Sequence, residues 1–139
     1  MARTALFGGL CVSLTLGSGA LAEGWSVIDF NSVATREICM TYAEATFGTY
    51  RERFNMPGFT GRSTWTVGGY DLRGEVVDGL FICSDEAGLV SPILVVYNSD
   101  DDSDAREVIA DRLGDIWDEV VANGGPLSSG GATSGGGTK

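Results

Sequence analysis

The side chains that could do chemistry here are few, and most common reactive sets are missing. There is no histidine, which removes the usual general base, the commonest metal ligand and every Ser-His-Asp or Cys-His arrangement. Lys139, at the end of a glycine-rich tail, is the only lysine, so no rigid element carries a Schiff-base amine. Neither a G-x-x-x-x-G-K nor a G-x-G-x-x-G phosphate cradle occurs. A zinc site would need both Cys39 and Cys83, which can pair with each other instead. No cofactor is implied. Carboxylates are the abundant functional group, so chemistry carried by acids alone, as in glycoside hydrolysis, would need residues such as Asp71, Glu75 or Asp85 to converge in a pocket.

Two acidic patterns have a defined spacing. Asp100, Asp102 and Asp104 alternate like the start of an EF-hand loop, and Asp111 falls at its twelfth position. The loop glycine is replaced by Ala105, the twelfth residue is not Glu, and Asp104 to Asp111 reads better as the first turns of a helix. The expectation is an acidic helix N-terminus, favoured by the macrodipole, with these residues only weak metal candidates. The second pattern is the i, i+4 ladder Glu107, Asp111, Asp115 and Glu119. Like charges at this spacing disfavour an isolated helix by a few tenths of a kcal/mol per pair, so helix stability alone would not select them. A basic partner would turn them into complementary contacts; otherwise they are a solvated face.

The start of the chain sets the compartment. Arg3 precedes the apolar stretch from Ala5 to Leu16, Gly17-Ser18-Gly19 breaks it, and Ala20-Leu21-Ala22 is the small-x-small pattern that signal peptidase accepts. Residues 1–22 therefore read as a cleavable signal peptide, too short and too interrupted to span a bilayer, and the mature chain is expected to be periplasmic or secreted. Cleavage would remove Cys11 and leave Cys39 and Cys83 as an even pair, most simply one disulfide in an oxidising compartment.

The elements that must position these residues follow from periodicity. Ile38, Cys39, Tyr42, Ala43, Thr46, Phe47, Tyr50 and Phe54 predict a helix from Asn31 to Phe54, with Glu37, Glu44, Arg51 and Glu52 on its wet side. Strands are expected over Thr64–Val67, Tyr70–Val77, Leu80–Cys83 and Ile93–Tyr97. Gly68-Gly69 is read as a turn or bulge, and Asp78-Gly79 as a tight hairpin turn. The stripe Ala105, Val108, Ile109, Leu113, Ile116, Trp117, Val120 and Val121 predicts a helix over Asp104–Ala122, capped by Asp104 and stopped by Asn123-Gly124-Gly125-Pro126. The fold class is α+β: an antiparallel meander of three or four strands with an N-terminal and a C-terminal helix packed on one face, over residues 23–126. Residues 127–139, mostly Ser, Gly, Thr and Ala, are expected to be disordered.

Charge narrows the partners. The chain carries nine basic and nineteen acidic residues, a formal net charge of −10; removing residues 1–22 with Arg3 leaves eight against nineteen, or −11. Such a surface repels phosphates and anionic membranes, so nucleic-acid binding and membrane insertion of the mature form are not expected. The sequence points to an exported, non-enzymatic interaction or accessory module, its acidic helix face turned to a protein with a basic surface. A small carboxylate-dependent enzyme or cation-binding domain is the alternative.

Overall fold

A computed structural model describes residues 24–86, 88–100 and 102–127. The segment expected to be a signal peptide, residues 1–22, and residues 128–139 of the tail lie outside the described residues. The elements run β1 (Gly24–Asp29), α1 (Arg36–Phe54), β2 (Thr60–Arg62), β3 (Thr66–Gly69), β4 (Leu72–Glu75), β5 (Val77–Glu86), β6 (Leu89–Asn98) and α2 (Ser103–Ala122). Five strands form one antiparallel sheet in the order β1-β6-β5-β3-β2, and β4 lies beside β5 outside that order. The architecture is α+β.

Several boundaries differ from the expectation, each for a local reason. The first described element is a strand. Asn31 to Ala34 do not join α1: the Phe30 N–H donates to the Pro92 carbonyl at 3.0 Å and Val33 bridges Val90, so this stretch stays extended along β6. Thr35 then caps α1, its Oγ1 accepting from the Ile38 N–H at 3.2 Å. Asp78-Gly79 is no turn; both residues lie within β5, paired with Tyr97 and Val96. Gly79 faces the core closely: a Cβ there would lie 3.0 Å from the Phe47 ring and 3.1 Å from Leu72, so these side chains would have to give way. Gly69, inside β3, faces the same ring, where a Cβ would approach to 2.4 Å. The β5–β6 hairpin turns at Gly88, whose φ is +80°, at the end of the polar stretch 85–88. Of the stretch Tyr70–Val77 only Leu72–Glu75 forms β4: Asp71 is left-handed (φ 57°) just before it, Gly74 is left-handed (φ 57°) within it, and Val77 already begins β5.

α2 begins one residue earlier than predicted, and its cap is Asp102 in place of Asp104: Asp102 Oδ1 accepts from the Ala105 N–H at 3.1 Å. A short chain of hydrogen bonds fixes that start. Buried Asn98 donates to the Asp102 carbonyl at 2.6 Å and accepts from the Asp100 N–H at 3.1 Å, while Asp100 accepts from the Asp102 N–H at 2.9 Å.

The core fills the space between the helices and one face of the sheet. Phe81 of β5 stacks on Trp117 of α2 with centroids 4.8 Å apart and meets Phe47 of α1 edge-on at 5.3 Å. Phe30 closes on Trp117 at 5.0 Å. The fully buried Cys39 and Cys83 are disulfide-bonded, with Cα atoms 5.9 Å apart, tying α1 to β5. Arg51, expected on the wet side of α1, is turned inward as a clamp, donating to the Phe59 and Tyr70 carbonyls and to Thr60 Oγ1. Burial lowers its pKa from the ordinary arginine value, and nearby Asp71 opposes that shift. Leu127, after α2, packs against the core. No helix among the described residues is long and apolar enough to cross a membrane.

Candidate functional site

The acidic ladder lies on α2, and the fold divides it. Glu107, Asp111, Asp115 and Glu119 are all exposed, as expected for side chains opposite the buried stripe of Ile109, Leu113, Ile116 and Val120. Glu119 points toward α1, where Arg53 makes a two-pronged ion pair with it: Nη1 donates to Oε1 at 2.9 Å and Nη2 to Oε2. These bonds hold the Glu119 carboxyl below its ordinary pKa. Asp111 and Asp115 face the other way, toward β1.

Between α2 and β1 runs an open groove of about 730 Å³, lined by Ile28, Asp29, Phe30, Asn31, Asp111, Gly114, Asp115 and Asp118. Its four aspartates come from two elements: Asp111, Asp115 and Asp118 from α2, and Asp29 from the end of β1, where strand alternation puts its side chain on the sheet side shared with Trp25 and Val27. Ile28 and Phe30 give it an apolar floor, and Gly114 narrows the helix where Ile28 approaches. None of the four makes an ion pair with a described residue. Among the described residues, no three His, Cys, Asp or Glu side chains stand close enough to hold a metal ion. The acids are strung along the groove, an arrangement suited to an extended cationic surface more than to a point charge.

Asp29 and Asp118 escaped the sequence reading. Asp118 is off the i, i+4 line, but it lies three residues after Asp115 and so on a neighbouring position of the helix surface. Asp29 ends a strand whose signal was the alternation Trp25-Ser26-Val27-Ile28, directly after the predicted signal cleavage site.

The remaining candidates are engaged elsewhere. Asp102 caps α2 and pairs with Arg73 at 2.8 Å, and these bonds lower its pKa from the ordinary value; Asp100 is used within the turn, and exposed Asp104 sits in the first turn of α2. Asp71 lies beside Arg51, while Glu75 and Asp85 are exposed on β4 and β5. None of these three lines the groove along β1 or the second depression on α2, where Arg73, Asp102, Asp104 and Arg112 meet Tyr50 and Met56. Of the basic residues near the ladder, Arg106 donates to Ser26 Oγ at 3.0 Å, and Arg112 lies 4.5 Å over the Phe54 ring.

The sheet face turned away from the helices is also largely uncovered. Trp25, Val27 and Leu80 are exposed there, with Trp25 against Tyr97 at 4.6 Å. The Tyr70 ring covers the hollow over Gly61 and Gly68, stacked on Phe59 at 4.6 Å.

No protein family, no curated protein and no solved structure matches this chain.

Proposed function

We propose that the protein is an exported, non-enzymatic interaction module that holds a basic partner protein in the acidic groove between α2 and β1. The observation that carries this reading is the groove itself: Asp29, Asp111, Asp115 and Asp118 line one continuous depression, and no arginine of the described chain pairs with them. The contact surface is narrower than the full ladder, since Glu119 is already bonded to Arg53. The formal charge of −10 steers a cationic surface toward the molecule. Export through residues 1–22 to the periplasm or the exterior accords with the Cys39–Cys83 disulfide, which is compatible with an oxidising compartment.

Affinity capture from the native envelope or secreted fraction, with the wild type beside an Asp29→Asn/Asp111→Asn/Asp115→Asn/Asp118→Asn variant, tests the reading. Proteins retained by the wild type at low salt should be basic and should be lost both at high salt and with the variant. Retention of the same proteins by both forms would contradict it.

A further inference from the structure

The sheet has two edges, and only one is blunted. At one side β2 is three residues long; Arg51 bonds Thr60, and Arg62 is drawn into ion pairs with Glu37 at 2.7 Å and Glu44 at 3.1 Å. At the other side β1 runs six residues, Gly-Trp-Ser-Val-Ile-Asp, with no proline and no bulge, and with a single charged residue, Asp29, at its end. Those are the devices by which natural sheets prevent strand addition. The register fixes which backbone groups are open. Because the Phe30 N–H bonds the Pro92 carbonyl, the alternation of an antiparallel ladder turns Ser26 and Ile28 toward β6 and leaves Trp25, Val27 and Asp29 with N–H and C=O facing outward. No described residue bonds these outward groups.

The two sides of this edge differ in chemistry. Away from the helices stand Trp25 and Val27, 64% and 60% exposed. Toward the helices lies the groove with Asp111, Asp115 and Asp118 of α2, reached past Ile28 and Phe30, while Asp29 shares the outer side with Trp25 and Val27. A strand laid against β1 would alternate its side chains between these two surroundings. Arg106 at Ser26 sets a limit, because it disfavours another cation opposite that position.

We propose that β1 is a docking edge for an extended segment of a basic partner, which adds as a sixth strand with apolar side chains opposite Trp25 and Val27 and basic ones opposite Ile28 and Phe30. This rests on the acidic-groove reading above and adds to it the form of the ligand: an alternating basic and apolar strand, recognised by main-chain hydrogen bonds and by side-chain pockets on alternate positions. Charge selects this occupant over a second copy of the chain. Antiparallel pairing of two β1 strands would bring the aspartates of two α2 helices side by side, with only the Arg106 of each copy, already bonded to Ser26, near them.

The test uses an eleven-residue peptide alternating valine with arginine, and two forms of it N-methylated either at the valine amides or at the arginine amides. In the docked register the valines lie opposite Trp25 and Val27 and exchange hydrogen bonds with them, whereas the arginine amides point away. Fluorescence anisotropy at low salt should show tight binding of the parent, retained on arginine methylation and weakened at least tenfold on valine methylation, although all three peptides carry the same charge. Val27→Pro, which removes an outward N–H without touching the bonds to β6, should weaken the parent similarly; the methylated peptides give the answer even if that variant fails to fold. Equal binding of the two methylated peptides would overturn strand addition while leaving the groove reading in place, provided the four-Asn variant weakens both. No binding of the parent would also overturn it, and the groove reading would then be decided by the capture experiment. A dimer in sedimentation that Val27→Pro dissociates would show that a second copy, and not a basic strand, occupies the edge.

Discussion

Glu119 was legible in the sequence as the last rung of an acidic ladder, but its partner was not. Arg53 lies 66 residues away, and only the packing of α1 beside α2 brings the guanidinium to the carboxylate. The consequence is testable by pH. Arg53 depresses the folded-state pKa of Glu119, so its contribution to stability is fully present above the unfolded glutamate value of about 4.3 and is lost as pH falls through the lower folded value. Glu119→Gln should therefore be less stable than the wild type at neutral pH, by a small margin for a pair this exposed, and the difference should vanish in acid. Thermal melts of both forms from neutral to strongly acidic pH check this; a difference that grows in acid would contradict it. The acids that remain unpaired, Asp111, Asp115 and Asp118, are the ones the groove reading uses.

Among the elements, α2 was legible because its apolar stripe repeats over five turns; it is buried along Ile109, Leu113, Ile116, Trp117 and Val120 as predicted, whereas Val108 and Val121 at the stripe's margins are exposed. Its start moved because Asp102 has two bonding partners, Arg73 and the Ala105 N–H, that Asp104 lacks. The glycines misled for a different reason. Asp78-Gly79 has turn chemistry, yet the glycine serves a close approach of Phe47, a contact between distant segments that local sequence does not reveal. The disulfide was readable from the even cysteine pair, and it joins elements otherwise linked by core packing and by the hydrogen bond from Arg36 Nε to the Cys83 carbonyl at 3.3 Å. The loop it closes, with a sequence separation of 44, corresponds to about 4 kcal/mol of unfolded-state entropy on the chain model. Urea unfolding of the oxidised protein against a Cys39→Ala/Cys83→Ala variant should show a loss of that order, increased by the small cavities left in the core. An unchanged midpoint would mean that the bond does not constrain α1 against β5.

For the molecule as a whole, the α+β class followed from the order of periodic segments. The strand order β1-β6-β5-β3-β2 did not, since placing the first strand beyond the last is a non-local pairing with no signature in either strand alone. That placement creates the site, because it sets Asp29 across from Asp111, Asp115 and Asp118 and leaves β1 at an open edge. The measurement closest to the central claim is a heteronuclear NMR titration of the chain from residue 23 onward with the arginine–valine peptide at low and at moderate salt. Shift changes should concentrate in β1 and at Asp111, Asp115 and Asp118, should weaken as salt screens the carboxylates, and should leave the Arg53–Glu119 side of α2 unmoved. Changes centred on Glu119, or on Leu80 and Val95 in the middle of the open sheet face, with the groove unmoved, would contradict the account.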